Sequence, residues 1–287
     1  MEKNVKSLTV ITYIHPEERL LHRCVEGLGQ QNIDFIWLIL GYEDPKLEDQ
    51  KYTFWKLDKS IENKAQAYNY ALPNITTTYI AYNDADDISL PNRFKKQVDF
   101  LEKHTNIDVL GGNLTINGTE AGWTIYKNQA DIQGFLLINN PIVNSTVMLR
   151  NTAIKWGIDI QYDSNFSRAE DYDFWWKAAQ ADVIFANLED SLIDYYQDTN
   201  FAKEKELQFA QIVREKVLIH YNSKELSQIE IDLFHKFAER NLDSKKEHRR
   251  TRQQFLELLP NISSRPIKNH HFNDSSLINK IKGLKIF

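Results

Sequence analysis

The segment TYIAYNDADDISLPNRF, residues 77–93, sets Asp84, Asp86 and Asp87 directly after an apolar run. Carboxylates this close repel one another, so the cluster calls for a compensating charge. On an extended backbone, side chains two residues apart point the same way, which pairs Asp84 with Asp86 and sends Asp87 elsewhere. Such a pair suits a hard divalent cation, Mg2+ or Mn2+. These ions prefer oxygen ligands, and Mg2+-type sites take one or two protein carboxylates and fill the remaining positions with phosphate and water. A calcium loop of the EF-hand type fits poorly, because its glycine at the sixth position and its glutamate at the twelfth are both missing. The same residues also read as a solvated acidic turn ahead of the helix that starts near Pro91, since aspartate is common in turns. The triplet alone does not separate the two readings.

A second acidic group stands in RAEDYDFWWKAA, where Glu170, Asp171 and Asp173 open a helical pattern. Carboxylates there complement the helix dipole. An ionised carboxylate within hydrogen-bond reach of a substrate hydroxyl can act as a general base.

The elements that must position these acids alternate. Residues 7–14, 35–41, 52–57 and 77–83 read as strands, the first two almost continuously apolar, as in a buried parallel sheet. Between them, residues 16–30 read as a helix with Pro16 in its first turn and an apolar stripe of Leu20, Leu21, Cys24, Val25 and Leu28. Residues 60–72 read as a helix capped by Ser60, and residues 91–104 as another that starts at Pro91. Strand–helix alternation predicts right-handed crossovers and a largely parallel sheet. Ligands bind beyond the carboxyl ends of such strands, where Asp84 and Asp86 lie. Further on, residues 107–116, 122–126, 141–150, 183–188 and 191–197 read as strands, and 151–156 and 169–181 as helices. From about 201 to 259 the pattern is helical, with Phe209, Ile212, Val213 and Val217 on one stripe. The shift near 200 reads as a boundary between a first domain, 1–200, and a helical C-terminal extension, 201–287. The first domain divides into halves at about 1–105 and 106–200.

Composition narrows the function classes. Hydrophobic residues make up 42% of the 287-residue chain, enough for a sizeable core rather than a disordered chain. A net charge of -5 gives no sign of a nucleic-acid partner. The lone Cys24 rules out an intrachain disulfide framework and suits a reducing compartment. The N-terminal run is too polar for a signal peptide, and no stretch approaches the ~20 apolar residues of a membrane span. These features predict a soluble cytoplasmic protein. The basic stretch SKKEHRRTRQQFLELL and the closing SLINKIKGLKIF suit peripheral contact with anionic lipid at the inner face of the cell membrane. They also read as a solvated helical face with a flexible end, or as a helix pair that forms a dimer.

In this order, the segments resemble family-2 glycosyltransferases. YIAYNDADDISLPNRFKKQV is similar to the family's Asp-x-Asp segment, with its further Asp and its apolar-Pro-Arg helix start. SLTVITYIHPEERLLHRCVEGLGQQ looks like the first strand and helix, and ENKAQAYNYAL like the helix ending in Asn. PIVNSTVMLRNTAI is similar to the acceptor-side strand, RAEDYDFWWKAA to the Glu-Asp helix, and LIDYYQDTN to the closing strand. No single piece is specific, but six in order, over about residues 7 to 200, are.

The resemblance implies a GT-A fold: an α/β, Rossmann-like, mostly parallel sheet flanked by helices. It also implies inverting transfer of a sugar, hexosyl or N-acetylhexosaminyl, from a nucleotide diphosphate sugar (UDP-linked) to a hydroxyl. The acceptor would be a glycan or lipid-linked saccharide of cell-surface polysaccharide synthesis. By the family pattern Asp86 ligates the divalent metal, and Asp84 shares the metal or contacts the ribose. Asp171 is the base, and Glu170 orients the acceptor or holds a loop. Thr12 and Tyr13 flank the nucleotide base, and Lys64 approaches the base or phosphates unless it is simply an exposed helix lysine. Ala85 lies along the donor. Asp87 and Trp175 support the site or the acceptor, although Trp175 and Trp176 also read as core.

Two departures stand out. Where the family has Asp-Asp-Gly-Ser, this chain has LGYEDP, so Glu43 or Asp44 takes the base-reading place. Relatives carry Arg-x-His near YYQDTN; here no histidine is present, and Asp198 or water takes its place on the metal. Two other functions compete: a sugar nucleotidyltransferase, which needs a Gly-rich phosphate loop that VITYIHPEERL lacks, and a non-catalytic carbohydrate-binding protein on the same fold.

Overall fold

The four N-terminal apolar runs form the parallel half of a sheet. In this computed structural model, β1 (Leu8–Tyr13), β2 (Ile36–Gly41), β3 (Thr53–Lys56) and β4 (Tyr79–Tyr82) lie in the order β3-β2-β1-β4, every pair parallel. β1 and β4 are buried on both faces, which is why their sequences carry no polar alternation. The sheet continues through β8 (Met148–Arg150), β6 (Val109–Ile116), β9 (Phe185–Tyr195) and β5 (Ile88–Ser89), with β7 (Thr119–Glu120) paired to β6. β8 runs antiparallel to both β4 and β6, while β6 and β9 are parallel. The structure describes residues 7–122, 125–153, 160–197 and 203–220, with Asp232, His235 and Ala238.

Strand parity decides what each face carries. Leu8 and Val10, Trp37 and Ile39, and Tyr79 and Ala81 face one way. There they pack with Cys24 and Leu28 of α1 (Leu21–Gly29) and with Phe94 and Leu101 of α3 (Arg93–Lys103). On the opposite face Tyr82 stacks on Tyr68 of α2 (Lys64–Ala71), with ring centroids 5.0 Å apart. It also meets Trp175 of α5 (Glu170–Gln180).

The chain divides into two compact units, Met1–Gln129 with Ile142–Phe201, and Ala130–Pro141 with Ala202–Phe287. The smaller holds nearly all of α4 (Gln129–Leu136), together with α6 (Lys203–His220). Ala210, Val213, Arg214 and Val217 of α6 are buried; Ile212, expected on the inward stripe, is exposed. No helix among the described residues is long and apolar enough to cross a membrane. The basic segments expected to touch lipid lie outside the described residues.

Several boundaries differ from the sequence reading. Pro16 does not open a helix: Glu18 N bonds His15 O in a turn, and α1 begins at Leu21. Ser60 does not cap α2. Asn63 does, its side chain accepting from Gln66 N at 3.0 Å, while Ser60 is held in a turn by Asp58. Residues 141–150 contain a 3-10 turn, Asn144–Thr146, before β8 begins. The strands expected at 183–188 and 191–197 are one continuous strand, β9, irregular in its register against Gly112 and Asn113. No strand covers the described residues of 122–126.

α1 reaches the strand beyond the acidic loop only because Gly27 lacks a side chain. A Cβ there would meet Ser89 N at 2.3 Å and the Ile88 backbone at 3.0 Å. Gly27→Ala is therefore expected to cost about 1–3 kcal/mol, read as a lower urea midpoint; an unchanged midpoint would contradict the contact.

Candidate active site

The acids inherit the parity of β4. Asn83 continues the α1/α3 face, and its Nδ2 lies 3.2 Å from Cys24 Sγ. Asp84 continues the α2 face and meets Lys64, the first residue of α2, with Nζ and Oδ1 2.5 Å apart. The loop then tightens: Asp87 N bonds Asp84 O at 3.2 Å, and Asn83 Nδ2 donates to Asp84 O at 2.9 Å and to Asp87 O at 3.3 Å. Ala85 is buried, and Asp84 and Asp86 on either side of it are partly exposed.

Beneath the loop lies a buried polar layer. Asp87 is fully enclosed; its carboxylate accepts from Ser145 Oγ and, at 2.9 Å, from Tyr196 N. Arg93, also buried, donates to Asn83 Oδ1 at 3.2 Å, Ser89 Oγ at 3.0 Å, Tyr82 O at 2.8 Å and Gln97 Oε1 at 3.2 Å. Asp87 thus ties the loop to the end of β9 and to the Asn144–Thr146 turn, a supporting role with no face toward a ligand. Arg23 of α1 reaches the same loop: its Nε donates to Asp86 O at 2.7 Å, and its Nη2 pairs with Asp194 at 3.0 Å.

The electrostatics follow from burial and like charge. Burial, then the Asp84 charge, pushes the Asp86 carboxyl up to about 6. Burial, with Asp84 and Asp86, holds Asp87 well above the ordinary carboxylate range against its two hydrogen bonds. Burial lowers the Arg93 guanidinium to about 9, opposed by Asp87 and Asp84. Burial also works against the charge on Lys64, but Asp84, Tyr68 and Glu170 more than offset it and keep the ammonium protonated. An added cation would relieve the strain on Asp86, so a divalent ion fits the pair. Among the described residues no group of three or more His, Cys, Asp or Glu side chains gathers as a ready-made cage. The fit is therefore to an ion that completes its shell with phosphate and water.

Parity also sorts the expected nucleotide contacts. Thr12 shares the Val10 side; it is buried, and its hydroxyl accepts from Trp37 Nε1 at 3.0 Å. Tyr13 turns the other way, toward Tyr42 and Lys64; burial and the neighbouring Tyr42 raise its pKa. Glu43 is exposed, and Asp44 is held by Tyr52 Oη at 2.6 Å and Lys46 N at 3.0 Å. Glu170 and Asp171 are partly exposed in the first turn of α5, with Asp171 Oδ1 accepting from Tyr172 N at 2.8 Å. Ala169 before them holds φ 53°, a left-handed conformation uncommon for a residue with a side chain. Trp175 is a correction to the acceptor-facing expectation. It is wholly buried between Tyr82, Phe174 and Phe185, so it offers no face to a sugar. Asp198 lies outside the described residues.

Residues that the sequence reading passed over include Arg23, Asn83, Arg93, Ser145 and Tyr196. Arg93 left a signal: it falls in register with Phe94, Gln97 and Leu101, the buried positions of α3. Arg23 left none, because its partners are 63 and 171 residues away.

β4 closes the parallel half and β8 begins the antiparallel part, so the acidic pair stands where strand direction changes and α/β sheets take their ligands. The fold is that of the GT-A glycosyltransferases. The crystal structure of S. aureus TarS 1–349 in complex with UDP-GlcNAc superposes with a TM-score of 0.63 over 96% of this chain and 89% of that one, at 14% identity. Residues 9–169, more than half of the chain, match the model of glycosyl transferase family 2. The chain belongs to that family and is a glycosyltransferase. Amylovoran biosynthesis glycosyltransferase AmsE of Erwinia amylovora is 29% identical over 202 residues, 65% of this chain and 74% of that protein. O-antigen biosynthesis glycosyltransferase WbnJ of Escherichia coli is 24% identical over 203 residues, 66% of this chain and 78% of that protein.

The raised Asp86 gives a stability test with a definite sign. Between the ordinary aspartate value and about 6, the folded state holds a proton at Asp86 that the unfolded state has lost, so this group's contribution falls as pH rises through that window. Asp86→Asn is expected to stabilise the metal-free protein at pH 7 by about 1–3 kcal/mol after discounting for partial exposure. Calorimetric melting from pH 4 to 7 checks this; a less stable variant at pH 7 would contradict it.

Proposed function

We propose that this glycosyltransferase moves a sugar, with inversion, from a UDP-linked donor to a hydroxyl of a glycan or lipid-linked saccharide in cell-surface polysaccharide synthesis. One observation carries the reading. Asp84 and Asp86 sit together at the carboxyl end of a parallel strand, one of them paired with Lys64 and the other pushed up to about 6 by burial and the Asp84 charge. That charge pattern suits a cation and a diphosphate arriving together. The names of AmsE and WbnJ support the polysaccharide assignment, and the UDP-GlcNAc bound to TarS supports a nucleotide-sugar donor.

Asp86 and Asp84 would hold a Mn2+ or Mg2+ ion. When bound, such an ion supplies Lewis-acid stabilisation of the charge on the departing diphosphate. Lys64, already protonated beside Asp84, stands ready for a phosphate oxygen. Tyr13, on the same side, covers the nucleoside end. Asp171 takes the proton of the acceptor hydroxyl as that oxygen bonds to the anomeric carbon and the bond to the nucleoside diphosphate breaks. Its place in the first turn of α5 sets it against the positive end of the helix dipole, and its carboxylate is anchored by Tyr172 N. Glu170, in the field of Lys64, orients the acceptor or holds a loop. Contact with the cell membrane would fall to the C-terminal basic segments.

Release of UDP from a panel of UDP-sugars with Mn2+ and a glycan acceptor tests the proposal. Asp171→Asn is expected to lower kcat by about 10²–10⁴-fold with donor affinity kept. A wild-type protein that releases no nucleoside diphosphate, or an Asp171→Asn variant of unchanged kcat, would overturn it.

A further inference from the structure

The Asp86–Asp87 peptide is pinned from both sides. Its carbonyl oxygen accepts from Arg23 Nε at 2.7 Å, and its N–H bonds Asp84 O at 3.2 Å. Arg23 does not spend its charge on the acids of the loop. Its Nη2 pairs with the Asp194 carboxylate at 3.0 Å and reaches Asp194 O at 3.3 Å, and the guanidinium stands 5.5 Å from the centre of the Tyr196 ring. Asp194 is itself fixed by Thr115 Oγ1 and Gly118 N, each at 2.6 Å, where β6 turns into β7. The guanidinium thus joins three elements: α1, the acidic loop, and β9 where it lies against β6. Asp87 makes a second, independent link to the same end of β9 through Tyr196 N.

A cation donating to a carbonyl rather than to a carboxylate orients the chain without neutralising it. From this geometry we infer that Arg23 is a positioning residue for the acidic pair: it sets the Asp86 peptide so that the Asp86 side chain lies beside Asp84, and does so without itself neutralising the carboxylates that would meet the incoming divalent ion. The inference rests on the assignment of Asp84 and Asp86 as the cation-holding pair. Partners of this outer kind set ligand direction, and their loss weakens metal binding although they never touch the ion.

The test compares full-length wild type, Arg23→Ala, Arg23→Lys and Asp194→Asn. Mn2+ affinity is read by electron paramagnetic resonance of free Mn2+ in the presence of UDP, UDP affinity by calorimetry with Mn2+, and folding by thermal melting. Arg23→Ala is expected to weaken Mn2+ binding by about tenfold or more with melting little changed, and Arg23→Lys to restore part of the loss. Asp194→Asn keeps the bond to the Asp86 carbonyl, so its Mn2+ affinity is expected to stay within about threefold of wild type. If Arg23→Ala fails to fold, the partial loss in Arg23→Lys against Asp194→Asn decides the matter. Unchanged Mn2+ affinity in folded Arg23→Ala, or equal losses of affinity and melting temperature in the Arg23 and Asp194 variants, overturns the inference while the donor site stands. A wild type that binds no Mn2+ with UDP overturns the site assignment and this inference together.

Discussion

Like charges on one side of a strand end are the constraint around which the larger unit is arranged. Asp84 and Asp86 are partly withdrawn from water, and Asp87 is wholly so. Three ionised carboxylates at that spacing would not stay folded without answers from elsewhere. Lys64 answers Asp84 directly, Ser145 and Tyr196 hold Asp87, and Arg93 lies buried below them. Burial and the Asp84 charge push Asp86 up to about 6. A site that keeps one carboxylate uncompensated gives up stability in the empty state and recovers it when a cation binds.

The two faces of the sheet divide the work. Residues on the α1/α3 side, Thr12 and Asn83 among them, hydrogen-bond within the core and fix the strand ends. Residues on the α2/α5 side, Tyr13, Lys64 and Asp84, meet around the carboxyl ends of β1 and β4. The buried tyrosines Tyr68, Tyr82 and Tyr162, with Trp175, make that second side rigid beneath the charges. A one-residue slip of β4 would exchange Asn83 for Asp84 and place a carboxylate against Cys24, so register and chemistry are specified together.

Much of this was legible in the sequence. The apolar runs at 7–14, 35–41 and 77–83 declared buried parallel strands; the alternation expected to pair Asp84 with Asp86 gives way at Ala85 and Asp86 to a turn in which Asp87 N bonds Asp84 O. Order along the chain was more telling than any single motif, and the family match covers most of the span that the six segments suggested. What escaped the reading depends on long-range packing. Ser60 looked like a cap because serine often is one, yet Asn63 stands one residue before α2 and takes the role. Trp175 could not be told from a sugar platform until α5 was seen to bury it under Tyr82. Arg23 carries an exposed-looking charge in an amphipathic helix, and only the fold brings Asp86 and Asp194 to it.

The central claim is that Asp84 and Asp86 act as one cation-binding unit when a nucleoside diphosphate is present. A crystal structure of the protein soaked with Mn2+ and UDP tests it most directly. The account predicts Mn2+ between the diphosphate and this pair, with an Asp86 oxygen at about 2.1 Å, the usual reach of a small hard divalent ion. Mn2+–UDP bound with both carboxylates turned away, or held at another place in the fold, would contradict it.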